Sequence, residues 1–305
     1  LHACRQLGYS PNFQARSLRA RRTGIIAVVG GVFQTPIRQY RQDLIAQYFK
    51  DRGYRVMLQD FHWSNDRVEM IRQLEEHRPE GMIVGEAEPP ELVECLRAIR
   101  DRGVPVVLAD GPVTEDFDQV RIDRRGAARL AVLHLVEQGY RDIRAALHPD
   151  HPYWAVDERR QGFAEGLMES GLGPVGVDRY LWAGDRRQWG DDYRAGYQTG
   201  ELLIGASRSR PIGVYAIGDR VAVGMERALL DRGIAIPDEV GVVGTENLPE
   251  SEYAAVPLSS MEYAVDRLAE RVGEILLDRL AGTGPAGLVR ESFEPRLVVR
   301  ASSIR

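Results

Sequence analysis

The residues best equipped for chemistry lie in LGYSPNFQARSLRARRTG, Leu7 to Gly24. There an aromatic-Ser-Pro-Asn turn leads into a helical run of Ala, Arg, Ser, Leu and Arg, followed by a cationic cluster. Arg16, Arg19, Arg21 and Arg22 can each neutralise a phosphate, and Gln14 can donate to one. Leu18 stands among these cations as an apolar projection, the combination that enters a minor groove and kinks the duplex. Asn12 can cap a helix from Phe13 to about Ala20, because its side chain accepts from otherwise orphaned N–H groups. Two turns of helix are not stable alone in water, so DNA, the equivalent helix of a second subunit, or both must hold it. The other use for Leu18 is packing against the rest of the chain.

Bond-making groups are sparse by comparison. The sequence has no G-x-S-x-G elbow, Walker A loop, HExxH or CxxC. Gly282-Thr-Gly284-Pro-Ala-Gly287 spells G-x-G-x-x-G, but it follows a helical pattern and carries Pro where a phosphate-binding helix should start, so it reads as a connection. His148, Asp150 and His151 imitate metal ligands, yet Pro149 and Pro152 make this an extended loop. Cys4 and Cys95 are far apart and lack ligand spacing, which implies a reducing cytoplasm without a disulfide framework. No catalytic residue, metal or cofactor is expected.

These groups need elements to position them. The chain has 305 residues, 44% of them hydrophobic, enough for two ordinary cores. No run of 18 apolar residues could span a membrane, and no secretory leader pattern opens the sequence. Residues 1–24 hold five Arg and no acid, while the whole chain carries −5, so the remainder carries −10. An acidic body with a basic arm implies that the arm alone meets a polyanion.

From Ile25 onward, buried β-type runs alternate with amphipathic helical stretches. Ile25–Val29, Arg55–Gln59, Gly81–Gly85, Pro105–Asp110 and Val120–Ile122 predict strands, and Arg38–Arg52, Asp66–His77 and Leu92–Arg102 predict helices. Gly53 and Gly103 fall where C-terminal caps belong. The alternation repeats through strands Ile143–Leu147, Arg179–Ala183, Gly213–Ile217, Val240–Val243 and Leu297–Arg300. The helices of this half are Gly126–Gln138, Glu158–Ser170, Tyr193–Gly205, Arg220–Arg232 and about Ala264–Leu280. The pattern predicts an α/β architecture of two parallel doubly wound sheets, with a ligand cleft facing the carboxyl ends of the strands. Crossings are expected near 148–155, 248–260 and 283–291. That gives a first lobe of about 25–148 plus 260–283 and a second of about 153–250 plus 288–305. Asp219, after a strand and before a helix, fits an N-cap.

LGYSPNFQARSLRARRTGIIAVV closely resembles the end of the DNA-binding headpiece and the hinge helix of the lactose-repressor/galactose-repressor (LacI/GalR) family. Further matches are PVVLADGPV, Asp123-x-x-Gly126 leading to AVLHLVEQGYRDI, Arg159-x-x-Gly162-Phe163, AIGDRVAVGMERALLDRGIAIPDEVGVVGTEN and Glu294-Pro-Arg-Leu-Val-Val-Arg. The resemblance covers nearly the whole chain. It implies a type I periplasmic-binding-protein-like fold behind a headpiece whose third helix would be Leu1–Leu7, so that residues 1–24 form a partial headpiece and hinge and 25–305 the effector-binding domain. It also implies a cytoplasmic, homodimeric, ligand-responsive regulator of operator DNA and no enzymatic activity. Tyr9, Asn12, Arg16, Ser17, Leu18 and Arg19 would then face DNA, with Leu18 as the minor-groove wedge.

For the effector, the resemblance implies a carbohydrate first and a nucleobase or nucleoside second. Arg159 takes the position of an arginine that forks onto ligand oxygens. Its other use would be a surface ion pair with Glu158 or Asp157. Asp219 would add a bond to ligand hydroxyls, and Glu246 stands where the family generally has Asp. Trp189, in an apparent insertion, could stack on a ring or stand as a surface-loop tryptophan, and Phe33 and Arg38 could line the first lobe's side. A periplasmic solute-binding protein shares the architecture but would lack the Arg/Leu arm.

Overall fold

The computed structural model describes residues 22–31, 35–61, 66–184, 192–206 and 211–305. Tyr9, Asn12, Arg16, Ser17, Leu18, Arg19, Phe33 and Trp189 lie outside the described residues.

Two α/β units are present. The first unit begins with β1 (Ile25–Gly30), α1 (Pro36–Asp51), β2 (Arg55–Asp60) and α2 (Arg67–Glu76). It continues with β3 (Gly81–Val84), α3 (Pro90–Asp101), β4 (Val106–Ala109) and β5 (Asp118–Ile122), and later receives α9 (Val265–Ala281) and β11 (Arg290–Phe293). Its sheet runs β11-β5-β4-β3-β1-β2. Every residue of β1 is buried, which explains its unbroken apolar run: a central parallel strand is covered on both faces. Edge strand β2 instead mixes exposed, half-buried and buried positions. Asp66 caps α2 by accepting from the Glu69 N–H at 2.9 Å. Gly53 and Gly103 close helices at φ +83° and +93°, a conformation that costs a side-chain-bearing residue energy. One face of the sheet packs on Met70, Ile71 and Leu74 of α2 and Leu92, Leu96 and Ile99 of α3.

The second unit opens with α4 (Arg124–Glu137), β6 (Asp142–Ala146), α5 (Trp154–Glu169) and β7 (Tyr180–Leu181). It proceeds through α6 (Tyr193–Ala206), β8 (Ile212–Ala216), α7 (Asp219–Asp231), β9 (Val240–Thr245), α8 (Pro249–Glu252) and β10 (Ser259–Glu262), and receives β12 (Arg296–Val298). Its sheet runs β12-β10-β9-β8-β6-β7, parallel in the β10-β9, β9-β8, β8-β6 and β6-β7 pairs and antiparallel at β12. Close helix pairing here relies on glycine. A Cβ at Gly162 of α5 would lie 1.9 Å from the Arg125 carbonyl oxygen, and one at Gly224 of α7 would lie 2.0 Å from that of Tyr193.

The chain passes between units at 120–121, 265–266 and 291–292, with Thr35–Ile37 grouping with the second. The sequence places the first crossing at 148–155, which would leave α4 and β6 in the first lobe. They belong to the second unit, where β6 pairs with β7 and β8. The cut falls inside β5, where no Gly or Pro marks it. β10 occupies part of the expected 248–260 crossing, and β11 starts within the expected 283–291 crossing. In the first unit, Arg279 forks onto Asp118 with two bonds of 2.8 Å, and Asp118 also accepts from the Val289 N–H at 2.7 Å. This clamp seats the start of β5 against the approach to β11.

Candidate functional site

At the carboxyl ends of the second unit's strands, the chain turns through several buried polar residues. Thr245 ends β9, and Glu246 and Asn247 follow at φ +105° and +50°. Neither is Gly, and such backbone conformations cost about 1–3 kcal/mol each and concentrate at functional sites. The neighbourhood fixes them tightly. Glu246 N–H donates to the Met261 carbonyl at 2.7 Å and Asn247 N–H to Ser260 Oγ at 3.0 Å. The Asn247 side chain donates to Glu262 Oε1 at 3.0 Å and accepts from Arg300 at 2.8 Å.

Asp219 is the hub of this support. It is fully buried, and Oδ2 accepts from the Leu248 N–H at 2.7 Å and from Ser251 Oγ at 2.8 Å. Ser260 Oγ donates to Oδ1 at 2.6 Å. Burial pushes its carboxyl up to about 6 against the pull of those donors. The sequence reading of Asp219 as an N-cap is therefore corrected. Gly218 is the cap residue and makes no side-chain cap bond, while both carboxylate oxygens of Asp219 serve the protein. Asp219 is a positioning residue for the Glu246 turn.

Arg159 projects from α5 and is 5% exposed. It donates to the carbonyl of Ala155, one turn earlier, at 2.8 Å and to the Tyr263 hydroxyl at 3.2 Å. Its Nε is buried without a hydrogen-bond partner among the described residues. The surface ion pair weighed from sequence is absent: Glu158 pairs with Arg121, and Asp157 binds Arg160 and Gln161. Arg159 lies within electrostatic reach of Tyr263, Tyr215, Arg124 and Glu246. Burial raises the Tyr263 and Tyr215 hydroxyls, so both phenols stay protonated at neutral pH. Arg159 and Glu246 thus lie within electrostatic reach of each other. Arg124, Trp154, Tyr215 and Tyr263 join them, and sequence reasoning missed all four. Arg124 was the most accessible of these, since it directly follows Asp123 in a matched motif.

The first unit carries its own buried polar cluster beyond the ends of its strands. Arg38 of α1 pairs with Glu86 at 2.5 Å and Arg41 with Asp110 at 3.1 Å, all four side chains less than a tenth exposed. Asp110 adopts φ +78° just after β4. The Gln42 amide is fully buried beside Gly30 and has no hydrogen-bond partner among the described residues. In the loop holding His148 and His151, His148 Nδ1 lies 2.8 Å from Asp150. Among the described residues no group of three or more His, Cys, Asp or Glu is arranged to hold a metal, and no helix is long and apolar enough to cross a membrane.

A profile of the periplasmic binding protein-like domain family matches residues 132–303. The HTH-type transcriptional repressor PurR of Mannheimia succiniciproducens is 28% identical over 307 residues, covering 99% of this chain and 88% of that protein. The lac repressor dimer bound to operator and the anti-inducer ONPF superposes with a TM-score of 0.81 at 19% identity, over 100% of this chain and 88% of that one. A LacI family regulator from Enterococcus faecium with bound ribose gives 0.76 at 21% identity, over 92% and 98%.

Proposed function

From the premise that this chain belongs to the periplasmic binding protein-like family, in its LacI/GalR branch of transcription regulators, we propose that it is a repressor whose effector is a carbohydrate received at the carboxyl ends of the second unit's strands. The relatives are regulators rather than enzymes. Arg159 and Glu246 are the proposed contact groups. The observation that carries the assignment is the buried Arg159, held by Ala155 and Tyr263, with Nε left to donate. A guanidinium fixed by two partners keeps its fork geometry, so further bonds to paired oxygens cost little additional ordering.

The homodimer is proposed to place two Asn12–Ala20 hinge helices on operator DNA in the cytoplasm, with Leu18 as the wedge. The effector acts by binding the two arrangements of the units unequally, and its coupling to DNA is reciprocal. Arg159→Gln is expected to weaken effector binding by about 10- to 150-fold, the value of one hydrogen bond to a charged group. Operator affinity in the absence of effector should stay unchanged. A screen of mono- and disaccharides and nucleobases by thermal shift identifies the ligand, since binding raises the melting temperature by mass action. Calorimetry on the variant then decides the role, and unchanged affinity would overturn it.

A further inference from the structure

We propose that Glu80 is a positioning residue for the basic arm: with the Arg78 carbonyl it clamps Thr23 and Gly24, and so fixes the root of the arm on the first unit. The inference rests on the reading of that arm as the DNA-binding element. β1 begins at Ile25, which pairs with Arg55. The two residues before it are held as well. Gly24 N–H donates to Glu80 Oε1 at 2.8 Å, and the Gly24 carbonyl accepts from the Arg55 N–H at 2.7 Å. Thr23 Oγ1 donates to the Arg78 carbonyl at 2.7 Å and accepts from the Ile25 N–H at 3.4 Å. Glu80 Oε2 stands 3.9 Å from Arg22 Nε.

The clamp is built on a firm base. Glu80 follows the buried Pro79 and directly precedes β3, and its N–H donates to the Ile25 carbonyl at 2.8 Å. Its side chain is 12% exposed against 67% for Arg22, so the acid is seated in the unit while the cation stays open to solvent. Gly24 adopts φ +61°, and a Cβ there would meet nothing within 4 Å. Glycine is needed for the turn and not for room, so the chain changes direction where the clamp grips it. Arg78 holds φ +52° despite its side chain, a cost that persists only where the surroundings over-determine the backbone. Residues 1–24 carry five Arg and no acid, so an acid at their root opposes the polyanion they meet. Its use is geometric. A two-turn helix is marginal alone, and its ordering on a duplex costs affinity. An arm with a fixed root and direction loses less freedom on binding than one hung on a loose linker. A carboxylate suits the task because a charged acceptor holds a backbone N–H more strongly than a neutral one.

Limited trypsin digestion of the 305-residue chain reads the clamp at the Arg22–Thr23 bond, by the mass of the fragment that begins at Thr23. Cleavage there requires the clamped segment to open, so its rate follows the open population. Glu80→Ala should speed it by about tenfold or more, the worth of a hydrogen bond to a charged group. Glu80→Gln removes the charge but keeps an oxygen for Gly24, and should speed it much less. Cleavage after Arg102, at the end of α3 in the same unit, should keep the parent's rate, which separates a loosened root from a loosened unit. Duplex binding then tests the use of the clamp, by fluorescence anisotropy at low salt on a duplex of about 20 base pairs with a flexible central TA step. The two variants carry equal charge and so differ in geometry alone. Glu80→Ala should bind about threefold or more weakly than Glu80→Gln, with the same salt slope because the same phosphates are met. Equal cleavage in parent and Glu80→Ala, or an equal rise in both variants, would overturn the clamp. Equal duplex affinity in the two variants would overturn its service to DNA binding. A parent that binds no duplex would instead overturn the reading of the arm, and with it the use of the clamp, while the cleavage rates still decide the clamp itself.

Discussion

Gly162→Val is expected to lower the melting temperature by roughly 6–12 °C, corresponding to about 3 kcal/mol of overpacking in a unit of this size. The Cβ alone would sit 1.9 Å from the Arg125 carbonyl oxygen and 2.7 Å from its carbon, and that backbone belongs to α4, not to a flexible side chain. Relief requires α5 to move away from α4. That movement would carry Arg159 from Arg124 and Tyr263, so effector affinity should fall with stability. Gly205→Ala is the control: Gly205 lies in α6, and a Cβ there meets nothing within 4 Å. It should be neutral or stabilising by about 0.5–1 kcal/mol, since alanine has less backbone entropy to lose. Thermal denaturation followed by circular dichroism separates the two, and an unchanged midpoint for Gly162→Val would refute the close-packing account.

The central strands were legible because strands buried on both faces leave continuous apolar runs, as in β1, β8 and β9. β10 and β11 were not. The sequence of β10 is Ser-Ser-Met-Glu, and its buried serines are satisfied by side-chain bonds that no pattern announces, Ser260 to Asp219 and Ser259 to the Arg300 carbonyl. The first boundary was misplaced for a related reason. Turn residues at Pro149 and Pro152 advertise a linker, whereas the chain changes unit partway along β5 without a break.

At the candidate site, Arg159 was visible only through its motif, and Glu246 through its place after a strand. Tyr215 and Tyr263 were missed because nothing local in the sequence shows that their hydroxyls lie near a guanidinium. Asp219 shows the opposite limit. Its type and position suggested ligand chemistry, but three donors from distant segments claim it.

Raising the pH from 5 to 9 is expected to destabilise the second unit, and Glu226→Gln should remove most of that loss. Glu226 lies in α7, the helix that Asp219 begins, and is 1% exposed. Neither carboxylate oxygen has a hydrogen-bond partner at ordinary distance among the described residues; the Val256 backbone favours the ionised form, and the nearby Asp219 charge opposes it. Burial therefore pushes its carboxyl from 4.5 up to about 8. Because the folded value lies above the unfolded one, the unfolded chain releases this proton first. Stability from this group is complete below about 4.5, declines as pH rises, and levels off once pH passes about 8. The full loss is on the order of 3–5 kcal/mol, from the size of the shift at 1.36 kcal/mol per unit. Asp219 adds a decline in the same direction up to about 6 in both proteins. Urea unfolding should therefore give similar stabilities for parent and Glu226→Gln at pH 5, and a parent weaker by several kcal/mol at pH 9. Parallel pH profiles would show that Glu226 is ionised at little cost in the folded chain. The divergence would instead establish that folding of the unit holding α7, which anchors the Glu246 turn through Asp219, is linked to the proton on its buried acid.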